Sequence, residues 1–461
     1  MINELINYFR NKKILILGFG KEGISTYKLI RKYLPTQQLY IGDKKENFQE
    51  TFDFAGDTNL IFISGNGYLD NLDDYDIIMK SPGISFANLD TSKFAHKIKS
   101  QLELLLEFFN NTTIGITGTK GKSTTSSLIY EILKDQNQKS IFLGNIGVPV
   151  FDYIDKIDED VWIVLEMSSH QLEYMKMSPN IAILLNIYPE HLDHYKTYAH
   201  YATAKCNIYR FQKDGDVCFY NADDEMIQRL KTGVTKADTY KISLKGKDDA
   251  DICLKENTIY FRGKPIYYKN EHRKLPGDYN LNNIMFALGV SEIFGLDLMQ
   301  TKKTISNFEP LKHRLEYIGN HNGIKYYDNS IGTIPQATIE AVKALGDVDT
   351  LIIGGMDRGI DYTEFIQFLN ESRISHIICM PSTGHKIGEK LRPEVRHFVG
   401  DLEEAVTLAK SITETGKSCL LSPTAASYGF FRNFEERGDI FKKLVEQMDE
   451  YSADFSLNLH T

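Results

Sequence analysis

The stretch Gly115-Ile-Thr-Gly118-Thr-Lys120-Gly121-Lys122-Ser123-Thr124 sets glycines, lysines and hydroxyls where a short apolar run passes into an amphipathic one. Glycines here let the backbone turn tightly and aim its N–H groups at phosphate oxygens, and the helix expected from Ser123 to Leu133 adds the positive end of its dipole. Lys122 is placed to reach the β- and γ-phosphates of a nucleoside triphosphate, and the Ser123 hydroxyl to ligate Mg²⁺. Gly118, Thr119, Lys120, Gly121 and Thr124 complete the phosphate cradle.

Strands alternate with helices outward from this loop. Thr113 to Thr117, Ser140 to Leu143, Val161 to Glu166 and Ile181 to Ile187 predict an α/β fold with a doubly wound parallel sheet. Between about 215 and 272, short strands at Tyr240–Leu244, Asp251–Leu254, Thr258–Arg262 and Pro265–Tyr268 suggest a small mixed β section. After Pro276-Gly277 comes a helix, Tyr279 to Phe294. Strands at Lys325–Tyr327, Thr350–Ile353, His376–Met380 and Ser418–Leu421 then mark a further unit. Upstream, the apolar run from Lys13 enters Gly18-Phe-Gly20-Lys-Glu-Gly23 and a helix through Tyr33. A second strand ends at Asp43, where the dinucleotide fingerprint places an acid for a ribose hydroxyl. Strands at 60–64 and 76–79 follow, the latter running into Lys80-Ser81-Pro82-Gly83. Three domains are expected, over 1–105, 106–308 and 309–461, with a loose tail over the last ten residues.

Composition narrows the function. The 461 residues carry 53 basic and 62 acidic side chains, a net charge of −9, which disfavours nucleic acid or an anionic membrane as the main partner. The five cysteines are widely spaced with no Cys-x-x-Cys pair, so neither a disulfide framework nor a zinc knuckle is indicated. No signal-peptide pattern and no membrane-length apolar run are present, which predicts a cytoplasmic protein acting on small molecules.

Polar clusters close the strands that follow the loop. Leu165-Glu166-Met-Ser168-Ser169-His170-Gln171 puts an acid where an ATPase holds its second Mg²⁺ ligand, and Asn186-Ile-Tyr-Pro-Glu190-His191-Leu-Asp193-His194 packs imidazoles and carboxylates into five residues. Lys205 lies in a helical stretch, Ala202 to Tyr209, and its pattern alone leaves open a surface or an active-site role.

The order GITGTKGKST, GNIG (144–147), LEMSSHQLE (165–173), NIYPEHLDHY (186–195), ATAKCNIY (202–209), GDYNLNN (277–283), KHRLE (312–316), DNSIGTIPQAT (328–338), GGMDRG (354–359) and SPTAASYGFFRNFEERG (422–438) resembles the Mur ligases of peptidoglycan synthesis, over essentially the whole chain. Among them it is most similar to those that add glutamate to UDP-N-acetylmuramoyl-L-alanine. The resemblance implies a Rossmann-like N-terminal domain for the uridine nucleotide, a central P-loop ATPase, and a Rossmann-like C-terminal domain that closes over the site. It implies ATP and Mg²⁺ as cofactors, a monomer, and formation of an acyl phosphate that the amino acid's amine attacks. By motif position, Lys122 stabilises the transferring phosphoryl group and Asn145 lies near substrate and ATP. Ser123 and Glu166 hold the first Mg²⁺, and His191 and Lys205, the latter carbamoylated, hold the second. Asn280 and Arg314 contact the nucleotide. Gly18, Gly20, Gly23, Asp43 and Ser81 line the uridine nucleotide pocket, and Thr333, Arg358, Ser427 and Phe434 hold the glutamate.

Two departures bear on that last pocket. Asp328-Asn329-Ser330-Ile331-Gly332-Thr333 stands where the common form reads Asn-Asp-Ser-Lys-Ala-Thr, so a lysine is replaced by Ile331 and the acid is displaced by one position; Ser427-Tyr428-Gly429 replaces Ser-x-Asp. Addition of D-glutamate is the expected reaction. A related ligase using L-glutamate, or one acting on a folate-like acceptor, is the nearest alternative. A nicotinamide-dependent oxidoreductase would account for the Gly18–Gly23 loop and Asp43 but for nothing after residue 110, and an inactive nucleotide-binding scaffold would not need the intact set Lys122, Ser123, Glu166, His191 and Lys205.

Overall fold

A computed structural model describes residues 1–109, 111–144, 149–230, 235–275 and 277–447, apart from the side chains of Thr51, Leu192 and Asp193. Asn145 and the expected C-terminal tail lie outside the described residues.

Three α/β sheets organise the chain. The first contains β1 (Ile14–Leu17), β2 (Leu39–Asp43), β3 (Leu60–Ser64), β4 (Ile77–Lys80) and β5 (Ile98–Lys99), all parallel in the order β3-β2-β1-β4-β5. Sequence order reverses between β1 and β4, and the loops after both strands open at that switch point, where such sheets hold ligands. Every residue of β1 and of β4 is buried, as expected for parallel strands covered on both faces.

The second sheet contains β6 (Thr113–Thr117), β7 (Ser140–Gly144), β8 (Trp162–Glu166), β9 (Ile181–Leu184), β10 (Val217–Asn221), β11 (Asp238–Ser243), β12 (Ile252–Lys255), β13 (Thr258–Phe261) and β14 (Lys264–Tyr268). Their order is β14-β13-β12-β11-β10-β9-β6-β8-β7. Pairing is parallel from β7 to β12 and antiparallel over the last two strands. The mixed β section expected after residue 215 is therefore no separate sheet: β10, not foreseen, joins it to β9 and extends the second sheet. Central β6 has β8 on one side and β9 on the other, so the segments following these three strands open side by side.

The third sheet contains β15 (Glu316–His321), β16 (Ile324–Asp328), β17 (Val348–Gly355), β18 (His376–Ser382), β19 (Arg396–Phe398) and β20 (Ser418–Leu421), in the order β15-β16-β20-β17-β18-β19, antiparallel only at β15. The loops after β16, β20 and β17 again emerge together.

The chain forms two compact units. Met1–His272 with Asn282–Asn307 carries the first two sheets, and Arg273–Leu281 with the chain from Phe308 carries the third. Within the first unit, Gln101 joins its two sheets: its Nε2 donates to Glu22 O (2.9 Å), and its Oε1 accepts from Phe151 N (3.2 Å). A continuous apolar core runs from Phe9 and Leu29 through Phe151 to Leu165.

Candidate active site

The loop between β6 and the helix Lys122–Asp135 is shaped by its neighbours. Asn186, just past β9, clamps it: Lys120 N donates to Asn186 Oδ1 (2.8 Å), Asn186 Nδ2 to Lys120 O (2.9 Å), and Thr119 N to Asn186 O (2.9 Å). The Thr119 hydroxyl shares a 2.9 Å hydrogen bond with Tyr201 OH. Gly121 has φ +88°, and a Cβ there would stand 2.5 Å from Asn283 Oδ1. Lys122 arches back so that its Nζ donates to the carbonyls of Gly118 (2.9 Å) and Thr119 (3.0 Å). Ser123 and Thr124 are buried behind it in the first turn of the helix.

Two further predicted residues meet this loop. Glu166 ends β8, in register with Ile116 of β6, and is buried. Lys205, 1% exposed, donates its Nζ to Gly118 O at 2.8 Å. Complete burial, and next the charge of Lys122, push its ammonium well below the usual lysine range, with Glu190 opposing. Glu190 bridges Lys120 (3.4 Å) and His191 (3.9 Å). His191 itself holds a positive φ of 56°, an uncommon conformation for a residue with a side chain. His170 packs against His191 (ring centroids 4.7 Å apart) and His194 (4.3 Å), and burial, then the charges of His191 and His194, lower it to about 3. His194 in turn bonds Glu173 at 3.0 Å.

Gly118–Thr124, Glu166, His191 and Lys205 thus gather around one loop. A cradle whose glycine a Cβ would overfill, with hydroxyl, carboxylate and imidazole donors beside three lysines, fits a polyphosphate with a hard divalent cation. The clamping by Asn186 and the close packing of Asn283 against Gly121 were not foreseen; the only trace in the sequence is that Asn186 opens one motif and Asn283 closes another.

At the first sheet's switch point, Gly18 takes φ +90°, and a Cβ on Gly23 would lie 2.1 Å from Gly18 O, so only glycine lets the helix Lys21–Tyr33 start against the loop. Nothing lies within 4 Å of a Cβ built on Gly20. Ser81 Oγ donates to Gly18 O (2.9 Å), joining the two loops. The Asp43 carboxylate, expected at a ribose, accepts from Phe19 N (2.8 Å) and Lys45 N (2.9 Å) and so braces the glycine loop. At the end of β4, Lys80, given no role from the sequence, is a buried cation that desolvation lowers to about 8 against the pull of Glu173 and Glu22.

In the second unit, Arg358 Nη2 donates to Thr333 O (3.0 Å), while its Nε is buried with no hydrogen-bond partner among the described residues. Ser427 is buried, and Phe434 opens the helix Phe434–Glu446 with its carbonyl accepting from Ser330 Oγ (2.8 Å). The Asp328-Asn329 order has a structural outcome: Asp328 turns inward, bonding Ser330 N (2.7 Å) and His313 Nδ1 (2.6 Å). Asn329 meanwhile bonds Leu315 N (3.2 Å) and Ser422 Oγ (2.9 Å). Asn280 and Arg314 both act on Tyr279, whose hydroxyl burial raises to about 12.

Residues 116–291 match the Mur ligase middle domain. A protein of Thermoanaerobacter sp. (strain X514) named UDP-N-acetylmuramoylalanine–D-glutamate ligase is 34% identical over 452 residues, covering 95% of this chain and 99% of its own. The chain belongs to the Mur ligase family. A relative of the same name from Geobacillus kaustophilus (strain HTA426) is 31% identical over 454 residues, covering 96% of this chain and 99% of its own. Among solved structures, MurF ligase from Thermotoga maritima in complex with ADP has a TM-score of 0.62 at 16% identity, covering 95% of this Mur ligase and 97% of that chain. UDP-N-acetylmuramate-alanine ligase MurC from the same organism has a TM-score of 0.59 at 19% identity, covering 96% and 100%. Both share the Mur ligase fold. No helix among the described residues is long and apolar enough to cross a membrane.

Proposed function

We propose that this Mur ligase joins D-glutamate to UDP-N-acetylmuramoyl-L-alanine, using ATP, in cytoplasmic peptidoglycan precursor synthesis, with its three sheets serving as nucleotide-substrate, ATPase and amino-acid domains over 1–105, 106–308 and 309–461. The observation that carries the reading is the gathering of Lys122, Lys205, Ser123, Glu166 and His191 around one phosphate loop, in a chain whose full-length relatives bear that enzyme's name.

The chemistry is a charge problem. The substrate's carboxylate oxygen attacks the γ-phosphorus of ATP and ADP leaves; the glutamate amine then attacks the acyl carbon, and the tetrahedral intermediate expels phosphate and loses a proton. Two anions must approach in the first step, so fixed cations lower the barrier most. Lys122 swings from the loop carbonyls to the transferring phosphoryl group, and Lys120 adds charge beside it. Ser123 and Glu166 would hold one Mg²⁺, and His191 and Lys205 a second, and such ions would supply positive charge against the phosphates. Lys205, desolvated and beside another cation, favours the neutral amine that adds CO₂ through its nitrogen and loses one proton, and the resulting carbamate offers an anionic oxygen where an ammonium would repel a cation. Gly18, Gly20, Gly23 and Ser81 receive the uridine nucleotide, with Asp43 bracing their loop. Asn280 and Arg314 contact ATP. Arg358, with its free Nε, takes a glutamate carboxylate in company with Thr333, Ser427 and Phe434.

Incubating the protein with ATP, Mg²⁺, UDP-N-acetylmuramoyl-L-alanine and D-glutamate should yield one ADP and one phosphate per new UDP-linked product. Product formed with another amino acid in place of glutamate, or from another acceptor, would reject the reading.

A further inference from the structure

Arg437 is fully buried, yet it forms no ion pair among the described residues. A buried guanidinium is costly unless its donors are satisfied, so where those donors go says what the residue is for. Its Nε donates to Ser330 Oγ (3.0 Å) and its Nη2 to Ser330 O (2.8 Å). Both terminal nitrogens donate to Ala425 O at 3.2 Å.

Those contacts fall on the loops that carry the amino-acid candidates. Ser330 lies in the turn after β16, three residues before Thr333, and Ala425 in the turn after β20, two before Ser427. The loop after β17, which leads to Arg358, closes on the same group: a Cβ on Gly355 would stand 3.1 Å from Arg437 Nη1 and 2.4 Å from Ala426 O. Met356 N donates to Ala426 O (2.8 Å), holding that loop to its neighbour. Arg437 itself sits one turn after Phe434, whose carbonyl accepts a hydrogen bond from Ser330 Oγ (2.8 Å). One planar fork therefore lies at the junction of the four segments bearing Thr333, Arg358, Ser427 and Phe434.

We propose that Arg437 is a positioning residue for the incoming amino acid: it ties the loops after β16 and β20 to the helix Phe434–Glu446, and the loop after β17 follows through its bond to Ala426, so that their groups face one ligand together; Arg437 thereby sets amino-acid affinity without touching the amino acid. This rests on the glutamate-ligase reading. A lysine cannot replace it, because an ammonium lacks the flat array of donors that reaches Ser330 and Ala425 at once.

The test uses the full chain as wild type, Arg437→Met, Arg437→Lys and Ser330→Ala, with KM for D-glutamate, ATP and UDP-N-acetylmuramoyl-L-alanine from phosphate release, and Tm for each variant. Arg437→Met should raise the glutamate KM about 10- to 100-fold while the other two KM values stay within about two-fold. Arg437→Lys should fall between it and wild type, and Ser330→Ala, which keeps the buried charge but loses its hydroxyl acceptor, should raise the same KM about three- to ten-fold. A glutamate KM unchanged in folded variants, or three KM values rising in parallel, overturns the proposal. Should the Arg437 variants fail to fold, Ser330→Ala decides by the same criterion. A wild type that releases no phosphate with D-glutamate would instead reject the functional reading.

Discussion

Lys122 and Lys205 both direct their Nζ atoms at Gly118 O, at 2.9 and 2.8 Å, yet they are expected to act differently. Lys122→Ala removes a cation from the transferring phosphoryl group and should lower kcat at least ~10³-fold with the fold intact, because such a contact is worth several kcal/mol at the transition state. Near-normal turnover would show that the loop does not work on ATP. Lys205→Ala should be nearly inactive and partly restored by short-chain carboxylates, and full activity without them would make Lys205 a packing residue. Lys80 makes a prediction in pH. Its folded value near 8 lies below the ordinary 10.5, so between those pH values the unfolded lysine keeps a proton that the folded one has lost. The unfolded state then binds more protons, and stability rises with pH, by on the order of 3 kcal/mol across the window. Urea midpoints should show the wild type gaining on Lys80→Met from pH 8 to pH 10; a pH-independent gap would contradict this.

At the scale of elements, what could be read in advance was what is contiguous. The phosphate loop, the glycine turn after β1 and the acid ending β8 are strings of neighbours whose chemistry is written locally, and so they were legible. The Asn186 clamp, Lys80 between Glu22 and Glu173, and Arg437 under three loops depend on partners far off in the chain, and no local pattern announces them. β10 was missed because Val217–Asn221 is one short run among polar turns, and β15 because Glu316–His321 alternates too many polar residues, with Tyr317 left exposed. Asp43 shows a subtler limit: its spacing from Gly23 suggested a ribose contact, and only the structure shows that the carboxylate also braces the loop. The glycine turn gives a test at this scale. Gly23→Ala would drive a methyl onto Gly18 O, so thermal stability should drop and the KM for the uridine nucleotide rise, whereas Gly20→Ala, with open space around it, should leave stability within about 0.5 kcal/mol. Equal Tm values for the two variants would contradict the packing.

On the scale of the whole molecule there are three α/β sheets, and in each the proposed ligand groups stand at strand C-terminal ends, where a parallel sheet displays its loops. The first two sheets share one compact unit, which brings the glycine loop after β1 and the loop after β6 into a single body through Glu22, Gln101 and Gln171. The third forms the other unit and holds the groups expected at the amino acid, and Ile331 and the inward Asp328 make that pocket the part least like the family's common sequence. The most direct test is therefore the rate of phosphate release from ATP with UDP-N-acetylmuramoyl-L-alanine and either D- or L-glutamate. A kcat/KM for D-glutamate far above that for L-glutamate, abolished in Lys122→Ala, is the predicted result; a preference for L-glutamate, or release that ignores the amino acid, would contradict it.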